Sequence, residues 1–199
     1  MAPRDDKGFG FQRAIGVIAR LIFGFAFLPK VTGRQHLPES GGCILACNHH
    51  CIVDPVVLAA YTPRPIVFMA KVELFRVPVL SRLIRWYRAF PVDRARGDVS
   101  AIRSAMATLN ANCVLGIFPE GTRVKDADLG PLEEGTGMIA LRSGAPVVPV
   151  RIARYAFWRR LRISFGEPVA LDDLRGGRID AARMAEATQR IAEALLRLK

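Results

Sequence analysis

Acidic side chains are scarce in this chain: 18 Asp and Glu stand against 29 Lys and Arg, for a formal charge of +11. The pI is near 10.4. That balance excludes an acidic surface and points to an anionic partner: a membrane surface, a nucleic acid, or a phosphorylated or acidic substrate. Cysteine is limited to Cys43, Cys47, Cys51 and Cys113. No small-residue cleavage site follows the first apolar stretch, so no export signal stands out. Reduced thiols in a cytosolic setting are therefore expected in place of a disulfide frame. A long uninterrupted apolar run is missing as well. Residues 14–29 come nearest, but Arg20 breaks them, and a membrane-spanning helix needs about 20 apolar residues with few charges. Internal repeats and low-complexity tracts are absent. No serine sits in a nucleophile-elbow pattern, which argues against a serine acyl-enzyme.

What is present is apolar for a soluble protein. Of 199 residues, 51% are hydrophobic, and the mean hydropathy is +0.20. That length suits one domain with a sizeable core. Residues 1–30 read as an amphipathic, membrane-associating segment, with Arg13, Arg20 and Lys30 near lipid phosphates. The alternative is an N-terminal helix packed on the core. Residues 31–199 alternate short apolar runs with helical patterns, the mark of an α/β domain with a central mixed sheet flanked by helices. Strands are expected over 42–46, 65–70, 89–92, 113–118, 145–152 and 161–165. Helices are expected over 55–61, 74–86 (interrupted near Pro78), 100–112, 137–143 and 180–198. Asp54 suits the N-cap of the helix that begins at Pro55, and Gly144 closes the helix before it. Residues 172–178 are polar and Gly-rich and read as a loop.

Chemistry concentrates in two polar runs. In Asn48-His49-His50-Cys51-Ile52-Val53-Asp54-Pro55, an imidazole and a carboxylate stand five positions apart. A neutral imidazole takes a proton near pH 7, and a carboxylate on its other nitrogen fixes the tautomer and stabilises the cation that forms. Such a pair activates a hydroxyl on the substrate. Taken alone the spacing is weak, since Asp54 could simply cap a helix and His49 could be a core histidine. The second run, Phe118-Pro119-Glu120-Gly121-Thr122-Arg123, is a polar turn ending in a fixed positive charge. Both runs follow predicted strands, and in open α/β sheets ligands bind at the strand C-terminal edge. His49 and Glu120 are thus expected on one rim. Arg151, Arg154, Arg159, Arg160 and Arg162, interleaved with Tyr155, Phe157 and Trp158, form a basic cluster suited to a membrane interface.

Together the two runs resemble the glycerolipid acyltransferase family, whose members acylate 1-acyl-glycerol-3-phosphate. Asn48-His49 with Asp54-Pro55 is similar to the family's first block. Lys71-Val72-Glu73-Leu74 is similar to its Lys-x-Glu-Leu stretch, and Phe90-Pro91-Val92-Asp93-Arg94 to its second block. Phe118 to Arg123 matches the third block almost letter for letter, and Val147-Val148-Pro149-Val150 resembles the fourth. Five ordered motifs are more specific than any one, and the resemblance covers roughly residues 31–168. Three positions depart from the family. Arg88 stands where a glycine is usual, six places before Arg94, and only glycine reaches φ > 0 cheaply. Cys51 replaces a common serine, and Leu132-Glu133-Glu134-Gly135 replaces a Phe-Lys-Lys-Gly stretch.

The resemblance implies roles residue by residue. His49 is the general base, and Asp54 orients it and stabilises its cation. Arg94, Glu120, Gly121, Thr122 and Arg123 bind the acceptor, the arginines taking a phosphate through their planar fork. The donor is an acyl thioester, acyl-CoA or acyl carrier protein. No metal and no redox cofactor is implied. The product is phosphatidic acid, in phospholipid biosynthesis. The chain is expected to be peripheral on the cytoplasmic face of the cell inner membrane, with an anionic membrane surface as partner and no nucleic acid. Another lysolipid or glycerol-3-phosphate stays open as acceptor, and Cys51 could instead carry the acyl group covalently. Two other classes are set lower: a metal-binding module using Cys43, Cys47, His49, His50 and Cys51, and a nucleic-acid binder suggested by charge alone.

Overall fold

Five apolar residues in succession form strand β2 (Cys43–Cys47), and all five are buried. A strand covered on both faces has no polar side to show, which is why the run is continuous. The structure, a computed structural model, describes residues 9–93, 99–124, 129–153 and 160–198. Among these residues β2 is the centre of a seven-stranded sheet ordered β1-β7-β6-β2-β5-β3-β4. The other strands are β1 (Lys30–Thr32), β3 (Ile66–Lys71), β4 (Ala89–Val92), β5 (Val114–Ile117), β6 (Val147–Ile152) and β7 (Arg162–Phe165). Only the β6–β7 pairing is antiparallel, so the sheet is mixed, as expected.

Side-chain alternation along β2 divides the core in two. Cys43, Leu45 and Cys47 pack with Ala19, Val57 and Leu58 from helices α1 (Gly10–Phe27) and α2 (Asp54–Tyr61). Ile44 and Ala46 face the opposite layer. There they meet Ala105, Ile139 and Ile191 from α4 (Val99–Asn110), α5 (Gly135–Ser143) and α7 (Ala181–Arg197). Gly144 takes φ 64 at the end of α5, the left-handed C-cap expected of it. Asp180 caps α7 by accepting the Arg183 N–H.

Helix α1 shows two unlike faces. Gln12, Gly16 and Ala19 are buried against the domain, while Val17, Ile18, Leu21, Ile22 and Phe25 are exposed, Phe25 at 94%. The docked face is anchored by Gln12. Its amide donates to the Ile66 carbonyl at 2.7 Å and accepts the Ile66 N–H at 2.9 Å. A strand's first residue is thus paired by a side chain 54 positions away. Gly16 lies on this docked face, where a Cβ would stand in ordinary van der Waals contact, 3.6 Å from the Ala60 Cα of α2. Among the described residues α1 alone is long and apolar enough to cross a membrane by length and composition.

Several expectations are corrected. Asp54 is not a helix cap: Val53 holds that place with no side-chain bond, and Asp54 is the first helical residue. Residues 172–178 are not all loop, because Asp172–Arg175 form a helical turn, α6. There Asp172 pairs with Arg175 and Asp173 with Arg190 of α7. The three-residue edge strand β1 was not foreseen, being too short to leave a pattern. Residues 72–76 are a 3-10 turn, and helix α3 (Pro78–Trp86) begins after it. Arg88 follows the backbone path of the glycine it replaces, with φ 63. A non-glycine residue in this region costs roughly 1–2 kcal/mol. Its guanidinium lies 5.0 Å from the Phe9 ring centre, a contact worth about 0.5–1 kcal/mol at an exposed site.

Gln12→Leu leaves the Ile66 N–H and carbonyl buried without their partner. A loss of about 2–4 kcal/mol is expected, since each orphaned group costs about 1–3 kcal/mol. At this size that lowers the melting temperature by roughly 5–12 °C, read by circular dichroism in mild detergent. An unchanged melting curve contradicts the docked arrangement of α1.

Candidate active site

β2 and β5 run parallel with Ala46 opposite Ile117, so the chain leaves both strands at the same edge. The first exit carries Asn48 and His49, the second Phe118 to Arg123. Residues far apart in sequence meet there. The His49 N–H donates to Glu120 Oε2 at 2.6 Å, and the His49 carbonyl accepts the Val124 N–H at 2.9 Å. The His49 and Phe118 rings lie 4.3 Å apart between centroids.

Asp54 organises the first loop from a fully buried position. Its Oδ2 accepts three N–H groups: His49 Nδ1 at 3.0 Å, the His50 backbone at 2.7 Å and the Cys51 backbone at 2.6 Å. A carboxylate only accepts, so His49 Nδ1 carries a proton in this bond, and in the neutral ring Nε2 keeps its lone pair. The His49 side chain is 18% exposed, and no partner is recorded for Nε2 among the described residues. The geometry gives an oriented imidazole with one basic nitrogen open to a ligand.

Glu120 is buried too, at 5% exposure. Its two oxygens take the His49 N–H and the Gly130 N–H, the latter at 2.9 Å. Its partners are therefore backbone amides. Gly121 has φ 68 and its N–H returns to the Phe118 carbonyl at 3.0 Å; this is a turn position where only glycine is unstrained. Thr122 and Arg123 are exposed beyond it. Arg94 lies outside the described residues, as do residues 154–159 of the basic cluster; Arg160 and Arg162 are exposed.

Other members of the site carried no role in the sequence. The Asn48 amide spans the gap to β6, accepting the Ile152 N–H at 2.8 Å and donating to the Ile152 carbonyl at 3.0 Å. His50 bridges Asn48 to the Val124 carbonyl. Their place directly beside His49 was the available signal. Pro149, which reads as a strand-end residue, lies inside β6 opposite Ala46, because the strand continues to meet Asn48. Behind His49 an apolar ladder runs from Phe118 to Phe68 (6.2 Å) and on to Tyr87 (5.9 Å). The Tyr87 hydroxyl is buried without a recorded partner, and burial pushes its ionisation well up.

The cysteine-rich set does not converge on a metal. Cys43 and Cys47 are strand residues within the core. Burial pushes the Cys43 thiol up to about 12 and the Cys47 thiol well above its ordinary range. A cysteine binds zinc as its thiolate. Among the described residues no three His, Cys, Asp or Glu side chains are grouped as a metal requires. Two surface grooves beside α7 are lined by residues such as Leu129, Leu132 and Leu196, or Pro149, Glu167 and Arg190, and include none of the candidate residues.

Comparison with known proteins bears on the same residues. A family model described as Acyltransferase matches residues 29–153. The 1-acyl-sn-glycerol-3-phosphate acyltransferase of Bacillus subtilis (strain 168) is 37% identical over 121 residues, 60% of this chain and 60% of that protein. The protein of the same name from Borreliella burgdorferi is 29% identical over 124 residues, 61% of this chain and 50% of that one. The chain thus spans half to three fifths of the length of these relatives. Its fold is similar to the crystal structure of the 1-acyl-sn-glycerophosphate (LPA) acyltransferase, PlsC, from Thermotoga maritima. That likeness has a TM-score of 0.69 at 22% identity, covering 100% of this chain and 84% of the other.

Glu120→Gln separates a buried clamp from a surface ligand. An amide offers one acceptor oxygen where two backbone N–H groups need one each, so a loss of about 1–3 kcal/mol is expected. Thr122→Ala and Arg123→Ala should stay within about 0.5 kcal/mol, as exposed positions do. Chemical denaturation of the three variants checks this; equal stability for Glu120→Gln contradicts the clamp.

Proposed function

The chain belongs to the acyltransferase family, and on that premise we propose that it moves a fatty acyl group from an acyl thioester to the free hydroxyl of 1-acyl-sn-glycerol-3-phosphate. The supporting observation is the His49–Asp54 pair: Nδ1 held at 3.0 Å by a buried carboxylate and Nε2 left basic. The acceptor hydroxyl gives its proton to Nε2 as its oxygen attacks the thioester carbonyl. The tetrahedral intermediate collapses, the carbon–sulfur bond breaks, and His49 returns the proton to the leaving thiolate. Asp54 stabilises the transient imidazolium. General acid–base catalysis of this kind contributes about 10²–10⁴ in rate.

Arg123 and Arg94 take the acceptor phosphate in this reading. Gly121 and Thr122 shape the turn, and Glu120 serves binding by fixing that turn to the His49 loop. Phe118, half-buried beside His49 and backed by the buried Phe68, offers an apolar contact for an acyl chain. The donor is acyl-CoA or acyl carrier protein, both anionic and suited to a basic chain. The reaction requires no redox cofactor, since the oxidation state of carbon is unchanged.

We place the protein peripherally on an anionic membrane surface, at the cytoplasmic face of the inner membrane. The exposed face of α1 supports this, and α3 extends it with Val79, Leu83 and Trp86 exposed. The helices meet where Phe11 and Trp86 pack at 5.2 Å. Arg13, Arg20, Arg82 and Arg85 are exposed on the same two helices, where guanidinium groups meet lipid phosphates.

An acyl-transfer assay with a panel of lysophospholipids and glycerol-3-phosphate tests the reaction. His49→Ala should lower kcat by at least about 10²-fold with the fold retained, and Asp54→Asn by a comparable factor. Wild-type turnover in His49→Ala contradicts the mechanism. For the surface, Leu21→Asp with Phe25→Asp should weaken sedimentation with anionic vesicles at least about tenfold, since burying each apolar side chain is worth about 1.5–3 kcal/mol. Unchanged binding removes α1 from the interface.

A further inference from the structure

The bonding around His50 is determined completely by one fixed donor. The Ile152 N–H can only donate, so the Asn48 atom facing it is Oδ1, at 2.8 Å. The other Asn48 terminal atom is then the amide nitrogen, which donates to the Ile152 carbonyl at 3.0 Å and lies 2.7 Å from His50 Nε2. An amide nitrogen is a donor only, so Nε2 must accept. The proton therefore sits on His50 Nδ1, which donates to the Val124 carbonyl at 2.9 Å. Val124 returns its own N–H to the His49 carbonyl at 2.9 Å. The turn 121–123 is thus fastened at both ends: through Glu120 to the His49 N–H before it, and through Val124 to His49 and His50 after it.

We propose that His50, held as its Nδ1–H tautomer by Asn48, is a positioning residue that pins the Arg123-bearing turn against the His49 loop. It touches neither the reacting hydroxyl nor the thioester; it sets where Arg123 stands relative to His49. The tautomer is locked, because Asn48 cannot turn over without placing its NH2 against the Ile152 N–H. The titratable and charged groups on the elements packed around His50 are His49, Cys51 and Asp54 on its own loop, Glu120 and Arg123 on the turn, and Arg151 beside Ile152. Asp54 accepts the His50 backbone N–H, so it contacts the main chain and not the ring.

The kinetic test rests on the acyltransferase reading, and the spectroscopic test does not. In the full chain labelled with 15N-histidine, long-range proton–nitrogen spectra at about pH 8 assign each ring's tautomer. Single substitutions of His36, His49 and His50 identify the signals. His50 is expected to be protonated on Nδ1 and bare on Nε2; the Nε2–H tautomer overturns the proposal whatever the enzyme does. In the assay, His50→Leu should raise the acceptor KM about tenfold with kcat changed less than about threefold, the pattern of lost ground-state positioning. His50→Asn keeps a donor for Val124 but cannot titrate, and should restore KM to within about threefold. A KM unmoved in His50→Leu overturns the proposal.

Discussion

Three consecutive backbone N–H groups, those of His49, His50 and Cys51, leave the end of β2 and are taken up by two buried carboxylates. Glu120 accepts the first and Asp54 the second and third. Buried amides must find partners, and here those partners hold the reactive loop in shape. The same Asp54 oxygen accepts the His49 ring N–H, so one group fixes both the loop and the imbalance between the two ring nitrogens. Removing either carboxylate therefore disturbs structure and chemistry together. The arrangement itself follows from a simpler fact: β2 and β5 are parallel neighbours, and their exits open side by side.

That coupling explains how a small polar centre persists in an apolar molecule. His49 Nε2 apart, the buried polar groups of the centre meet a backbone group or side chain of opposite hydrogen-bonding character: Asn48 by Ile152, His50 by Val124, Glu120 by His49 and Gly130. A network satisfied at every member is rigid, and a partly satisfied one is costly. Rigidity is what a proton-transfer site needs, since misplacement by about 1 Å can cost 10²-fold in rate. Around this centre lie the buried aromatic ladder behind His49 and the exposed apolar faces of α1 and α3.

Much of this was legible from residues alone. The central strands were visible as apolar runs, because burial on both faces removes alternation. The parallel edge followed from strand–helix order, and with it the meeting of His49 with the 118–123 turn. The ordered motifs then carried the family. What stayed hidden depends on partners distant in sequence. The His49–Asp54 pairing was readable from the run itself; that the same carboxylate also takes the His50 and Cys51 backbone N–H groups was not. Glu120 looks like a surface ligand, because its partners are main-chain amides 71 and 10 positions away. Gln12, Asn48 and His50 are ordinary polar residues until the sheet places Ile66, Ile152 and Val124 beside them. Arg88 is the reverse case: its residue type argues against a left-handed backbone, and the surrounding fold imposes one at φ 63.

The most direct measurement is a crystal structure of the full chain, without acyl donor, bound to a lysophosphatidic acid analogue whose ester is replaced by an ether and whose hydroxyl is intact. The account predicts that hydroxyl within about 2.6–3.2 Å of His49 Nε2, with the phosphate on the turn that carries Arg123. A hydroxyl out of reach of Nε2, or a phosphate seated away from that turn while the analogue competes with substrate, contradicts it.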